Sequence, residues 1–267
     1  MSKKIITIII PIFNRFIKKK SISNFLKFKK FIKIIIIDDG SPKKIMEKNL
    51  KLIKKFPEIT YYYYKNNKGQ SHACNQGLKK TFTKYVWFFD DDDYVQVISL
   101  KKILSEIIIQ DEDGFLLPMK QIFNNIILKE VRPCIRPHDF NDLRKNGQLV
   151  STSCSIFKTS IIRKIKGWDE NLYGGTDTDL FLRFSKVGTF KFIKCKSIKI
   201  NLSQEGRLTN QFFRQMKAKI FFLRKHWKDL AYKRRFYYIY SMFVLLPLFY
   251  GIKNNLIYLK KKCLKIK

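Results

Sequence analysis

The hydrophobic pattern alternates between two rhythms over roughly the first hundred residues. Continuous β-branched runs at Ile5 to Ile10 and Ile34 to Ile37 read as strands buried on both faces of a parallel sheet, with Pro11 expected to end the first. Apolar and basic residues at helical spacing predict helices over Phe16 to Lys30 and Lys43 to Lys55. Ile59 to Tyr64 predicts a third strand and Asn66-Asn67-Lys68-Gly69 a turn, with Ser71 capping a helix that reaches Lys80. Tyr85 to Phe89 is a fourth strand, followed by a helix from Val97 to Gln110.

Strands alternating with helices imply an α/β fold, a Rossmann-like, mostly parallel sheet flanked by helices. Ligands of such sheets bind beyond the carboxyl ends of the strands. Asn14-Arg15, Asp38-Asp39, Asn66 to Gly69 and Asp90 to Asp93 fall at four successive strand ends. Past Gln110 the order loosens. Gly114 to Met119 and Gln121 to Lys129 suggest a strand and hairpin, with Asn124-Asn125 between apolar runs, and Ser151 to Phe157 a further strand. The glycine-punctuated loop Gly167 to Asp179 then leads into a helix from Leu180 to Lys186, with Asp177 at its start as a cap or a catalytic group.

From Thr209 onward the pattern is helical, aromatic and rich in lysine. Phe236 to Ile252 is almost uncharged, but Ser241, Pro247 and Gly251 interrupt it. It is marginal as a spanning helix and suits an interfacial helix or a buried core helix better. Arg234-Arg235, Lys253 and Lys260-Lys261-Lys262 flank it, a pattern that favours an anionic membrane surface.

A chain of 267 residues accommodates one substantial α/β domain and a small appendage. Its 55 Lys+Arg against 21 Asp+Glu give a formal +34, which attracts any polyanion, from nucleotide phosphates to nucleic acid to lipid headgroups. Composition does not choose among these, because the lysine excess accompanies the Ile, Asn, Phe and Tyr of an A/T-rich coding sequence. The five cysteines form no C-x-x-C pair, which fits a reducing cytosol. Lys3-Lys4 and the apolar run after them mimic a signal peptide, yet Pro11 and the lack of a small-residue cleavage site favour a strand.

The run Asp90-Asp91-Asp92-Asp93 carries the most chemistry. Consecutive carboxylates beside a buried strand repel unless a cation or ordered donors offset them. On an extended segment Asp90 and Asp92 face the same way and can converge on one hard cation, while Asp91 and Asp93 point elsewhere. The simpler alternative is an acidic cap on the next helix. An EF-hand loop starting at Asp90 is excluded, because Val95 and Lys101 stand where Gly and Glu are needed.

In this order and spacing the residues resemble the inverting family-2 glycosyltransferases of GT-A fold, over roughly Lys4 to Gly206. The matching pieces are Ile8 to Asn14, Ile35 to Ser41, Asn67-Lys68-Gly69 through Asn75, Trp87 to Asp93, Gly167-Trp168-Asp169-Glu170 and Thr176-Asp177. The resemblance implies a GT-A domain over 1–206 and a basic, aromatic-rich helical extension over 207–267. It implies a nucleotide-sugar donor bound by Pro11, Phe13, Asn14, Asp39, Asn67, Asp90 and Asp91, with Asp39 accepting from a pyrimidine N–H. Asp92 and Asp90 would hold Mn²⁺ or Mg²⁺, and Trp168, Asp169 and Thr176 would meet a glycan or lipid-linked acceptor. Asp177 would be the general base of an inverting displacement, in an enzyme that is cytoplasmic and peripheral to the inner face of the cell membrane.

Four departures from the family pattern stand out. Thr176 occupies the usual Glu position and Cys74 the usual Arg; no late metal-binding His is evident near Asn201 to Glu205, and no Pro follows the aspartate run at the usual distance. A haloacid dehalogenase-type phosphotransferase also uses Asp-x-Asp after a strand, but leaves Asp39 and Asp177 unexplained. A sugar-nucleotide pyrophosphorylase would need a Gly-rich loop that is absent near the first strand. A specific nucleic-acid binder is disfavoured because the richest motifs are acidic.

Overall fold

The computed structural model describes residues 4–132, 139–148, 150–172, 174–202 and 212–245. Its first half is the alternation the apolar runs predict: β1 (Ile6–Ile12), α1 (Lys19–Leu26), β2 (Ile32–Asp39), α2 (Lys43–Ile53), β3 (Ile59–Tyr64), α3 (Gln70–Lys79), β4 (Tyr85–Phe88) and α4 (Val97–Ile109). β5 (Gly114–Leu116), β6 (Met119–Phe123) and β7 (Ile126–Val131) follow; Asn124 and Asn125, at φ +46 and +67, make the hairpin turn between the last two. Then come α5 (Phe140–Asn146), β8 (Ser155–Lys158), α6 (Thr159–Lys164), α7 (Thr176–Ser185), β9 (Phe190–Phe192), β10 (Ile198–Asn201), α8 (Phe212–His226) and α9 (Tyr232–Tyr240).

One seven-stranded sheet runs β3-β2-β1-β4-β8-β5-β9, and a smaller one runs β10-β6-β7. The pairs among β3, β2, β1 and β4 are parallel, while β8 lies antiparallel to both β4 and β5. Ile8, Ile9, Ile35, Ile36 and Ile37 are fully buried, each contributing about 1.5–3 kcal/mol of apolar transfer. The chain steps outward from β1 to β2 and β3, then returns to place β4 on the other side of β1. The crevice beyond β1 and β4 is therefore the switch point, where such sheets bind ligands.

Two expected boundaries are corrected. β1 does not stop at Pro11 but continues to Ile12, paired with β2. The backbone carbonyls of Ile5 and Ile9 accept from β4 or its flank, so odd positions of β1 face that side. The β4 ladder has ended by Pro11, and its missing donor leaves no bond unmade. The expected strand Ser151 to Phe157 begins instead as a 3-10 turn over Thr152–Cys154, and only Ser155–Lys158 joins the sheet.

The C-terminal extension joins the same core through Phe222, Leu223, Leu230 and Met242. Among the described residues no helix is long and apolar enough to cross a membrane. The rest of the apolar tail, 246–252, and the lysines beyond it lie outside the described residues, as do 203–205, where the family's late His was sought.

Candidate active site

Strand-period alternation splits the acids at the end of β2. Asp38 turns into the protein, where its carboxylate accepts from the Ser41 N–H at 2.8 Å and from the Tyr61 hydroxyl. Burial, then this carboxylate, pushes the Tyr61 phenol up. Asp39 faces the turn after β3 and accepts from the N–H groups of Lys68 and Gly69 at 2.9 and 2.6 Å. Its other oxygen has no hydrogen bond and lies 3.5 Å from His72 Nδ1. Gly40, at φ +88, lets the two segments meet, since a Cβ there would stand 2.6 Å from Asn67 N. The loop after β1 is drawn over the same place by the Asn14 N–H, which donates to Ser41 Oγ at 2.8 Å. Pro11 on β1 is half-buried, and Phe13, Asn14 and Asn67, on the two segments tied to this strand end, are exposed.

At the end of β4 the chain turns instead of running on extended, with the Asp93 N–H donating to Asp90 O at 3.2 Å. This overturns the expectation that Asp93 points away: one ligand oxygen from each of Asp90, Asp92 and Asp93 falls within 4.8 Å of the others. Asp91 alone leaves the group and pairs with Arg15 at 2.7 Å across the switch point. Ser153 braces the cluster, its Oγ accepting from the Asp90 N–H at 3.0 Å. The Asn201 N–H donates to Asp93 Oδ1 at 3.0 Å, but Asp93 Oδ2 is buried without a hydrogen bond. Burial, together with Asp90 and Asp92, raises the Asp93 carboxyl well above its ordinary range. Three oxygen donors with one unmatched buried oxygen fit a hard divalent cation. A cleft of about 630 Å³ lined by Lys18, Lys20, Gln96 and Lys199 borders Asp92 and Asp93.

Asp177 lies in the first turn of α7, whose cap residue is Gly175 at φ +69, so the capping alternative falls. Burial raises its carboxyl, against hydrogen bonds from Gln148, Thr176 and Thr152. The buried Cys74 thiol on α3 is pushed up, first by burial and then by the charges of Asp90, Asp177 and Asp39.

A model of the family described as glycosyl transferase family 2 matches residues 7–166. The chain belongs to that family. A glycosyltransferase of Haemophilus influenzae is 31% identical over 107 residues, 39% of this chain and 43% of that protein. One of Rickettsia typhi is 24% identical over 197 residues, 70% of this chain and 61% of that protein. The chain thus spans less than half the length of the first of these. Staphylococcus aureus TarS, solved with UDP-GlcNAc, superposes with TM-score 0.65 at 14% identity over 89% of this chain and 71% of that one. The mannosyltransferase PcManGT of Pyrobaculum calidifontis, solved with GDP-Man and Mn²⁺, gives 0.61 at 15% identity over 91% and 71%. The fold is GT-A. The phosphotransferase, pyrophosphorylase and nucleic-acid readings fall to the family match.

That match ends before Trp168, Asp169, Thr176 and Asp177, so the chain's own geometry must place them. Trp168 was expected at the acceptor but is 3% exposed, its ring packed edge-on against Phe88 at 5.3 Å. Its backbone is held instead: Asn75 accepts from the Trp168 N–H and donates to its carbonyl, both at 2.9 Å. Asp169 bonds Lys225 at 2.5 Å, and the Thr176 hydroxyl reaches Asp177 at 3.5 Å. Sequence reasoning missed Asp93, Ser153 and the Asn49 side chain that ties Arg15 O and Ile17 N beneath the donor loop.

Substituting Asp93→Asn removes one buried charge while keeping the acceptor for Asn201. It should raise the melting temperature in EDTA and abolish the stabilisation that Mn²⁺ gives the wild type. Differential scanning fluorimetry with and without Mn²⁺ checks both.

Proposed function

We propose that the protein transfers a sugar, with inversion, from a nucleoside-diphosphate sugar, uridine preferred, to a hydroxyl of a glycan or lipid-linked acceptor. The observation that carries this reading is the convergence of Asp90, Asp92 and Asp93 on one point at the end of β4, in a chain of this family. Asp39 Oδ1, buried and without a hydrogen bond, suits a donor such as the imide N–H of uracil. Phe13 and Asn14 flank the base and Asn67 closes the far side. Asp90, Asp92 and Asp93 would hold a Mn²⁺ or Mg²⁺, which when bound would supply charge neutralisation for a diphosphate leaving group.

Asp177 then takes the proton of the acceptor hydroxyl as that oxygen attacks the anomeric carbon from the face opposite the nucleotide. Direct displacement forms the new C–O bond as the C–O bond to the diphosphate breaks, and the configuration inverts. Thr176, standing where relatives carry Glu, adds a hydroxyl without a second negative charge. The base is therefore tuned by burial, in the direction that makes a carboxylate a better proton acceptor near neutrality.

The extension supports attachment to an anionic lipid surface. Tyr232, Phe236, Tyr240 and Phe243 are 70%, 51%, 52% and 69% exposed, and their spacing sets them on one helical face beside exposed Lys233. This reading keeps the enzyme cytoplasmic and peripheral to the inner membrane face.

Asp177→Asn should lower kcat about 10²–10⁴-fold with donor binding intact, measured by nucleoside diphosphate release. Because the Asp177 carboxyl is raised, the base is lost as pH falls through that raised value, and the acid limb of kcat/KM should lie above the ordinary carboxylate range. Gln148→Leu, which removes a hydrogen bond to the charged form, should move that limb higher still. Separately, the wild type should sediment with phosphatidylglycerol vesicles, and the triple variant Phe236→Ser, Tyr240→Ser, Phe243→Ser should stay in the supernatant with its melting temperature unchanged.

A further inference from the structure

The most heavily bonded charged group in the described residues does no chemistry in the proposed reaction. Asp179, fully buried on α7, accepts at Oδ2 from Arg183 Nε and Nη2 at 2.8 and 2.5 Å. Its Oδ1 lies 2.8 Å from His226 Nε2 and 2.5 Å from Lys225 Nζ, both on α8. His226 is 2% exposed, and its other ring nitrogen faces Asp229 Oδ2 at 3.0 Å. Lys186, the residue just past α7, returns the link by meeting Asp229 Oδ1 at 2.7 Å. The Lys225 ammonium also bonds Asp169 at 2.5 Å, so one cation joins the Trp168-Asp169 loop to α7. The glycine turn that launches α7 rests on the same helix: a Cβ on Gly174 would stand 3.0 Å from the Ala218 methyl, and one on Gly175 3.5 Å from the Phe222 ring.

We propose that α8, through Lys225 and His226, is a positioning device for the base Asp177 and the loop of Asp169. Asp177 and Asp179 are two residues apart on a helix and project about 200° apart around its axis. Anchoring Asp179 inward fixes the rotation of α7 and with it the direction in which Asp177 faces the cleft. A base displaced by about 1 Å can lose 10²-fold in rate, so a clamp on the opposite side of the helix governs turnover without touching substrate. Lys225 and His226 are positioning residues, and they lie in the extension that follows the GT-A domain. The inference rests on the reading of Asp177 as the base.

The test uses the full chain, with release of UDP from UDP-sugars to water as the assay. Lys225→Met and His226→Asn should each lower kcat 10- to 100-fold, leave donor KM within about twofold, and produce no further loss when combined with Asp177→Asn. Lys225→Arg should restore most of the rate. Lys225, whose side chain is 31% exposed, keeps the test open where His226→Asn fails to fold. Wild-type kcat in Lys225→Met, or losses that multiply with Asp177→Asn, would overturn the clamp while the base reading stood. Full turnover in Asp177→Asn would overturn the base reading and the clamp together.

Discussion

Carboxylates crowd the ends of strands that are otherwise wholly apolar, and the surrounding loops are ordered by the need to compensate them. A charge beside a buried strand is costly unless donors meet it. Asp38 is met by the Ser41 amide and Tyr61, Asp39 by two amides of the turn after β3, and Asp91 by Arg15. The bonds that make the acids tolerable therefore also tie the strand ends to the turns and loops around them. Asp39 and Asp93 each keep one buried oxygen without a hydrogen bond; Asp93 also has the carboxylates of Asp90 and Asp92 beside it, an imbalance that a divalent cation would relieve.

Much of this was legible from residue order. The β-branched runs of β1 and β2 and the aromatic runs of β3 and β4 placed the first four strands to within two residues or so, the first two because burial on both faces leaves a continuous apolar signature. Helix starts were less legible, for non-local reasons. Phe16 was expected inside the first helix, yet α1 begins at Lys19 because Asn49, from α2, holds the Ile17 N–H and the Arg15 carbonyl. Ser71 was expected to cap α3, which instead starts at Gln70 behind Gly69, a residue whose N–H goes to the carboxylate of Asp39. The Asp93 error has the same character. Period-two alternation holds only while the chain is extended, and the turn at Asp90 brings Asp93 back to the group.

The helical extension shows how far a family pattern reaches. The match covers residues 7–166, while α7, which carries Asp177, and its support on α8 lie past it. There the polar clamp between α7 and α8 combines with aromatic packing through Phe222 and Tyr238, whose ring centroids are 5.1 Å apart. Past that packing, α9 and the turn after it leave Tyr232, Phe236, Tyr240 and Phe243 exposed.

Central to the account is that the strand-end carboxylates form a metal-assisted uridine-nucleotide site. Isothermal titration of the wild-type protein with UDP-GlcNAc, UDP-glucose and GDP-mannose, each with Mn²⁺ and with EDTA, addresses it most directly. The account predicts binding of a uridine donor that is at least tenfold tighter with Mn²⁺, and weaker binding of the guanosine donor. Equal affinity in EDTA, or a preference for GDP-mannose, would contradict it.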